Sequence, residues 1–230
     1  MVGDLLPYYR RLRRHFGPQG WWPARNRLEV VVGAILVQNT AWRNVEAALD
    51  QLRRAQRLSL PGLRTLAVAD LGQLIRSAGF WRQKAQTLQG LVAWLDSQHA
   101  GRLDRMVRRP TPILRRQLLQ LRGVGPETAD SILLYAGGHT TFVVDAYTRR
   151  VLQRHRLGPP PPARSPDRAS YDQVQRWIES RLPRQAEVYN EFHALLVAVG
   201  KRYCHRREPD CRGCPLRPLL PGDGRPAARA

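Results

Sequence analysis

Apolar residues recur at three- and four-residue intervals through LEVVVGAILVQ (28–38), VEAALDQLRRA (45–55), KAQTLQGLVAWL (84–95), PILRRQLLQL (112–121), TADSILLYAG (128–137), YDQVQRWIESRL (171–182) and NEFHALLVAVG (190–200). That spacing places the apolar side chains on one face of a helix, and seven such runs predict an all-α chain. Only TTFVVD (140–145) has the β-branched density of a strand. With no second run to pair with, it reads as an extended connector. GPPPPARSPDR (158–168) reads as a stiff loop of polyproline character, and the stretch after Cys214, from residue 217 to 230 above all, as a flexible tail.

Composition sharpens this picture at three points. A length of 230 residues is enough to bury a full core, in one compact unit or two small lobes. The 38 basic residues outnumber 18 acidic ones for a net charge of +20, and only Lys84 and Lys201 among the basic residues are lysines. Such an excess fits a polyanionic partner, most simply nucleic acid, whose phosphates the guanidinium fork matches bidentately. The alternative is an arginine-rich composition spread over an ordinary solvated surface. No apolar run approaches the roughly 20 residues of a membrane span, and MVGDLLPYYRRLRRHF lacks the apolar core of a signal peptide. The expectation is a cytoplasmic, nucleoid-associated protein without a membrane partner. In a reducing compartment the three cysteines, all between Cys204 and Cys214, are not a disulfide framework.

The segment LRGVGPETADSILLYAGGHTTFVVD (121–145) carries the chemistry. Gly123 and Gly125 allow positive φ and a close backbone approach, and Pro126 suits the first position of the following helix. The turn thereby presents the amides of Gly123, Val124 and Gly125 at a helix N-terminus, where they can hold a phosphate oxygen whatever the base sequence. A plain helix–helix turn would use the same glycines. Asp145, about one helix beyond this phosphate clamp, is the single carboxylate that an enzyme would need to break a bond in the DNA it grips. It is also a good N-cap for AYTRRVLQRH, and the two roles are compatible.

This segment resembles the helix-hairpin-helix, Gly/Pro-rich loop and aspartate signature of the endonuclease III superfamily of DNA glycosylases. LEVVVGAILVQNT is similar to the family's early barrel helix and turn, RSAGFWRQKAQTL to its Gly-aromatic-x-x-x-Lys-Ala segment, and the cysteines to its iron-sulfur loop. The resemblance implies an all-α, two-lobed fold. A six-helix barrel would span 25–138 with the hairpin at about 114–137, and a second helical lobe would span 1–24 plus 139–216. It also implies a monomer acting on double-stranded DNA with a damaged base flipped between the lobes, and a monovalent cation at the hairpin.

Within the superfamily, Trp21-Trp22-Pro23 followed by LVQNT, SAGFWRQKA and VVDAYTRR looks most like the endonuclease III-type bacterial 3-methyladenine DNA glycosylases. That likeness implies a base pocket lined by Trp21, Trp22 and Pro23, where stacking holds an electron-poor alkylated purine. Filling the junction between lobes is the other use of two tryptophans. Gln38 and Asn39 stand where the family enters the gap left by a flipped base, or cap their helix. Phe80 or Trp81 could wedge the stack, or pack in the core, and Lys84 could contact phosphate. The position that holds the Schiff-base lysine of the bifunctional members is Glu127, which cannot form an imine. The resemblance thus implies a monofunctional hydrolase with AP-lyase activity weak or absent. An oxidised-pyrimidine glycosylase and a non-catalytic DNA-binding homologue are the rival readings.

The family's cluster loop runs C-x6-C-x2-C-x5-C, whereas this chain has Cys204, Cys211 and Cys214 and then Leu220. The expectation is a [4Fe-4S] cluster on three cysteines with Asp223, His205 or water in the fourth place. Zinc, a three-iron cluster and a metal-free vestigial loop are the alternatives.

Overall fold

A computed structural model of the chain describes residues 4–159 and 169–221. It is all-helical, with no strand among the described residues. In chain order the helices are α1 (Leu6–Phe16), α2 (Arg27–Leu36), α3 (Trp42–Arg54), α4 (Leu60–Arg64), α5 (Val68–Leu74), α6 (Trp81–His99), α7 (Leu103–Val107), α8 (Thr111–Leu119) and α9 (Pro126–Ser131). α9 widens into a π turn over Ile132–Ala136, and α10 (Ala146–Arg154), α11 (Tyr171–Glu179) and α12 (Ala186–Arg202) follow. All seven periodic runs are helical. The period did not disclose α4, α5 and α7, whose five to seven residues span too little more than one turn to repeat. α1 was hidden by its arginines: LPYYRRLRRHF buries only Tyr8 and Leu12.

The chain divides into two compact units, one of residues Trp22–His139 and one that joins the segment up to Trp21 to the residues from Thr140 onward. In the first, α2 is the central helix. Every residue from Leu28 to Leu36 is buried, as expected of a helix apolar all round. The one charge within that buried span, Glu29, is 3% exposed and is compensated by Arg53, which donates to both carboxylate oxygens at 3.2 and 3.0 Å, and by the Arg25 amide at 2.8 Å. α5 and α4 pack on α6, while α2 lies against the π turn.

In the second unit α1 and α10 pack on α12. The close α10–α12 approach depends on Gly200, where a Cβ would sit 2.3 Å from the Tyr147 ring. The run 140–145 is extended, as its composition suggested, and has no partner strand. α11 satisfies its backbone instead: Phe142 N–H donates to Glu179 at 2.8 Å, Val144 N–H to the Tyr171 hydroxyl at 3.2 Å, and the Gln175 amide donates to the Phe142 carbonyl at 2.6 Å.

One expectation is corrected at the C-terminus. Residues 217–221 are not a free tail: Arg217–Leu219 forms a 3-10 turn behind the buried Leu216, and the Tyr8 hydroxyl donates to the Leu219 carbonyl at 3.1 Å. Residues 222–230, and nearly all of the proline-rich 158–168 stretch, lie outside the described residues.

Candidate functional site

The glycine hairpin connects α8 to α9. Gly123 has φ +85°, and a Cβ there would lie 2.1 Å from Thr87 Oγ1, so both backbone conformation and space require glycine. Val124 turns inward and is 6% exposed, while Arg122, Gly123 and Gly125 face outward. No side chain caps the N-terminus of α9. Two braces hold the turn. Arg115 on α8 donates to both oxygens of the fully buried Asp130 on α9, at 2.8 and 3.2 Å. The Gln38 amide donates to the Gly123 carbonyl at 2.9 Å and to Thr128 Oγ1 at 2.8 Å. Gly123→Ala is therefore expected to cost about 1–3 kcal/mol of stability, through strain at positive φ and overpacking against Thr87, measured by urea unfolding.

Three segments far apart in sequence meet at this turn. Gln38, Asn39, Phe80, Gln83, Lys84, Thr87 and Gly123 line one open pocket of about 200 Å³. Their roles are not those the sequence suggested in every case. Both amide hydrogens of Gln38 are used in bracing the hairpin, which leaves Asn39, exposed and left-handed at φ +52°, as the outward-facing amide. Phe80 is 64% exposed with φ +46°, whereas Trp81 packs on the core with Arg82 stacked over it at 4.3 Å. Of the two aromatics, only Phe80 projects outward.

Lys84 requires a correction. Its side chain was expected at phosphate, but it is 3% exposed, and its ammonium donates to the carbonyls of Leu36 at 2.9 Å, Gln38 at 2.8 Å and Ala78 at 2.8 Å. Three hydrogens meet three acceptors, so Lys84 ties off the end of α2 and the turn before α6 and has no donor left for DNA. Burial pushes its pKa down to about 8, still an ammonium at neutral pH.

In the same unit as the hairpin, Trp22 packs edge-on against Trp42, with ring centroids 5.2 Å apart, and lies 5.0 Å from Tyr135 in the π turn. Trp42 and Tyr135 went unnoticed in the sequence because each occupies an ordinary apolar position of its helix. Pro23 is exposed and Trp21 half-buried, and the boundary between the units falls between Trp21 and Trp22.

Asp145 is the N-cap of α10, its Oδ1 accepting from the Thr148 amide at 2.7 Å. Its Oδ2 faces Nε2 of His193 on α12 at 3.6 Å, and the two side chains are 12% and 6% exposed. Burial raises the pKa of such a carboxyl, but the neighbouring His193 and the Thr148 hydrogen bond outweigh it and hold Asp145 below the ordinary carboxylate value. His193 was missed in the sequence; its one signal is that it is the lone titratable side chain in the apolar run HALLVAVG.

The cysteine loop surrounds a cavity of about 20 Å³ lined by Cys204, Cys211, Cys214, Arg154, His155, Asp210 and Leu220, among others. That admits about one water. Arg154 donates to Cys204 Sγ at 3.0 Å and to the His205 carbonyl at 2.6 Å. Burial pushes the Cys214 thiol up to about 11, and Cys211 in the same direction. His205 is exposed and does not line the cavity, Leu220 brings an aliphatic chain to the fourth corner, and Asp223 lies outside the described residues. Among the described residues no group of three His, Cys, Asp or Glu side chains is disposed to hold a metal ion. The three thiols of the expected cluster thus line one cavity, the family's fourth ligand position is Leu220, and no catalytic step below passes through a cluster.

A model of the HhH-GPD superfamily of base excision DNA repair proteins matches residues 32–178, from α2 through the hairpin and Asp145 into α11. The chain belongs to that superfamily. Among HhH-GPD relatives, a protein of Methanocaldococcus jannaschii provisionally named a DNA repair glycosylase is 42% identical over 215 residues, 93% of this chain and 94% of that one. Among solved structures, a trapped endonuclease III–DNA covalent intermediate superposes with a TM-score of 0.78 at 24% identity, covering 95% of each chain. The H. pylori 3-methyladenine DNA glycosylase bound to 1,N6-ethenoadenine gives 0.75 at 24% identity, over 86% of this chain and 98% of that one. At that identity both likenesses concern the fold, and they agree with the all-helical HhH-GPD architecture seen here. No helix among the described residues is long and apolar enough to cross a membrane.

Proposed function

We propose that this HhH-GPD DNA glycosylase is monofunctional: it hydrolyses the N-glycosidic bond of a damaged, alkylated base in duplex DNA and leaves the sugar-phosphate chain intact. The observation that carries this reading is the fate of the lysines. Glu127 occupies the place that the resemblance gives to the lyase nucleophile, and Lys84 is tied to three carbonyls. That leaves Lys201, exposed in the last turn of α12 beside the cysteine loop. Without an amine at the sugar there is no imine, and water is the remaining nucleophile.

In this reading the Asp145 carboxylate stabilises the oxocarbenium-like sugar and orients the attacking water. The amides of Gly123 and Gly125 hold a backbone phosphate without reading sequence, the Val124 amide expected beside them being spent on the Leu121 carbonyl at 3.0 Å; Asn39 and Phe80 enter the stack where the base has left, and Trp22 with Trp21 and Pro23 receives it. Exposed Arg122 beside the hairpin, and Arg202, Arg206, Arg207 and Arg212 around the cysteine loop, add salt-dependent affinity.

The test is a panel of duplexes carrying 3-methyladenine, 1,N6-ethenoadenine, thymine glycol or a T:G mismatch, each incubated with and without borohydride. The expected result is release of an alkylated purine, abasic product without strand cleavage, and no trapped adduct. A strong adduct lost on Lys201→Ala would overturn the hydrolytic assignment. Release of thymine glycol alone would move the chain to the oxidised pyrimidines.

A further inference from the structure

Asp145 has two oxygens, and the structure accounts for both. Oδ1 accepts from the Thr148 amide at 2.7 Å, an ordinary capping bond that by itself leaves the carboxylate free to swing about its last torsion, which has a broad minimum. Oδ2 faces His193 Nε2 at 3.6 Å in a setting where both side chains are nearly excluded from water. The imidazole is itself held. The Phe142 ring, on the connector that leads into Asp145, meets it edge-on at 6.1 Å and 78°, and α12 is drawn against α10 by the Gly200–Tyr147 contact. A capping aspartate needs only the first oxygen. The second interaction is one that stabilising the helix does not require.

We propose that His193 is a positioning residue for Asp145: by holding Oδ2 while the Thr148 amide holds Oδ1, it fixes the plane in which the carboxylate meets the sugar. This rests on the reading of Asp145 as the catalytic carboxylate. A buried carboxylate must also stay ionised to stabilise a cation, and a histidine beside it favours that form. No covalent chemistry falls to His193. Its contribution is orientation, where a displacement of about 1 Å can cost on the order of a hundredfold in rate.

Two polar variants of similar size separate this role from simple packing. His193→Gln carries an amide N–H close to the place of Nε2, whereas the shorter His193→Asn carries it near Nδ1 and does not reach Oδ2. Single-turnover base release is measured on the duplex from the panel that the wild-type chain processes fastest, together with the Kd for the same duplex. The expected result is a rate lowered about ten- to a hundredfold in His193→Asn and restored to within about threefold of wild type in His193→Gln, with Kd unchanged in both. Equal rates in the two variants, whether both normal or both slow, or the reverse order, overturn the proposal. Asp145→Asn is run beside them. If that variant is inactive while His193→Asn is normal, the positioning role alone falls; if it too releases base at the wild-type rate, or if the wild-type chain releases no base from any duplex, the assignment of Asp145 falls and takes this inference with it.

Discussion

Asp145→Asn is expected to lower single-turnover base release by on the order of 10³-fold while leaving the fold and DNA affinity nearly unchanged. The substitution is informative because asparagine is as good an N-cap as aspartate: it can still accept from the Thr148 amide that Asp145 Oδ1 now holds, so α10 keeps its start. What is lost is the negative charge. An aspartate that served only as a cap would therefore be silent on this change, and one that stabilises a cationic sugar would not. The measurement is base release under enzyme excess, paired with a Kd on the same duplex and a thermal melt. A rate within about threefold of wild type would return Asp145 to its capping role and the chain to a DNA-binding function without turnover.

Lys84→Met has the largest expected effect on stability, about 3–5 kcal/mol. Methionine reproduces the apolar stem but leaves the carbonyls of Leu36, Gln38 and Ala78 without the donors that the ammonium supplies. An unpaired buried acceptor costs about 1–3 kcal/mol, and loosening of the turn relieves part of the sum. For a chain of this size the loss corresponds to a fall in Tm of roughly 10 °C. The salt dependence of DNA binding separates this role from the phosphate contact expected from sequence. A buried lysine leaves the slope of log K against log salt unchanged, whereas removal of a true phosphate contact reduces it by about one. Arg122→Gln, at the exposed edge of the hairpin, is expected to show that reduction.

The course of the chain was legible wherever a helix was long enough to repeat its apolar face, as in α2, α6 and α12, and wherever backbone chemistry was singular, as at the Gly123 turn and the Asp145 cap. It was illegible where a residue's role depends on which distant group meets it. Lys84 reads as a surface cation beside an apolar helix, and only the arrival of three carbonyls from two other turns makes it structural. Gln38 looks like a free amide until the hairpin closes over it. His193 is one polar letter in an apolar run, and its meaning lies about fifty residues upstream at Asp145. The cysteine loop was legible as far as its thiols: two of the family's three ligand spacings match and the three cysteines do line one cavity, whereas the third spacing ends on Leu220.

The extended run before Asp145 carries one more implication. In a sheet, the amides of Phe142 and Val144 would be locked by neighbouring backbone and would open only with the sheet. Here their partners are side chains of Glu179 and Tyr171 on α11. The local opening free energy of the segment that leads into Asp145 is thereby coupled to that of a nine-residue helix, so that fraying of α11 would release the backbone that places this carboxylate.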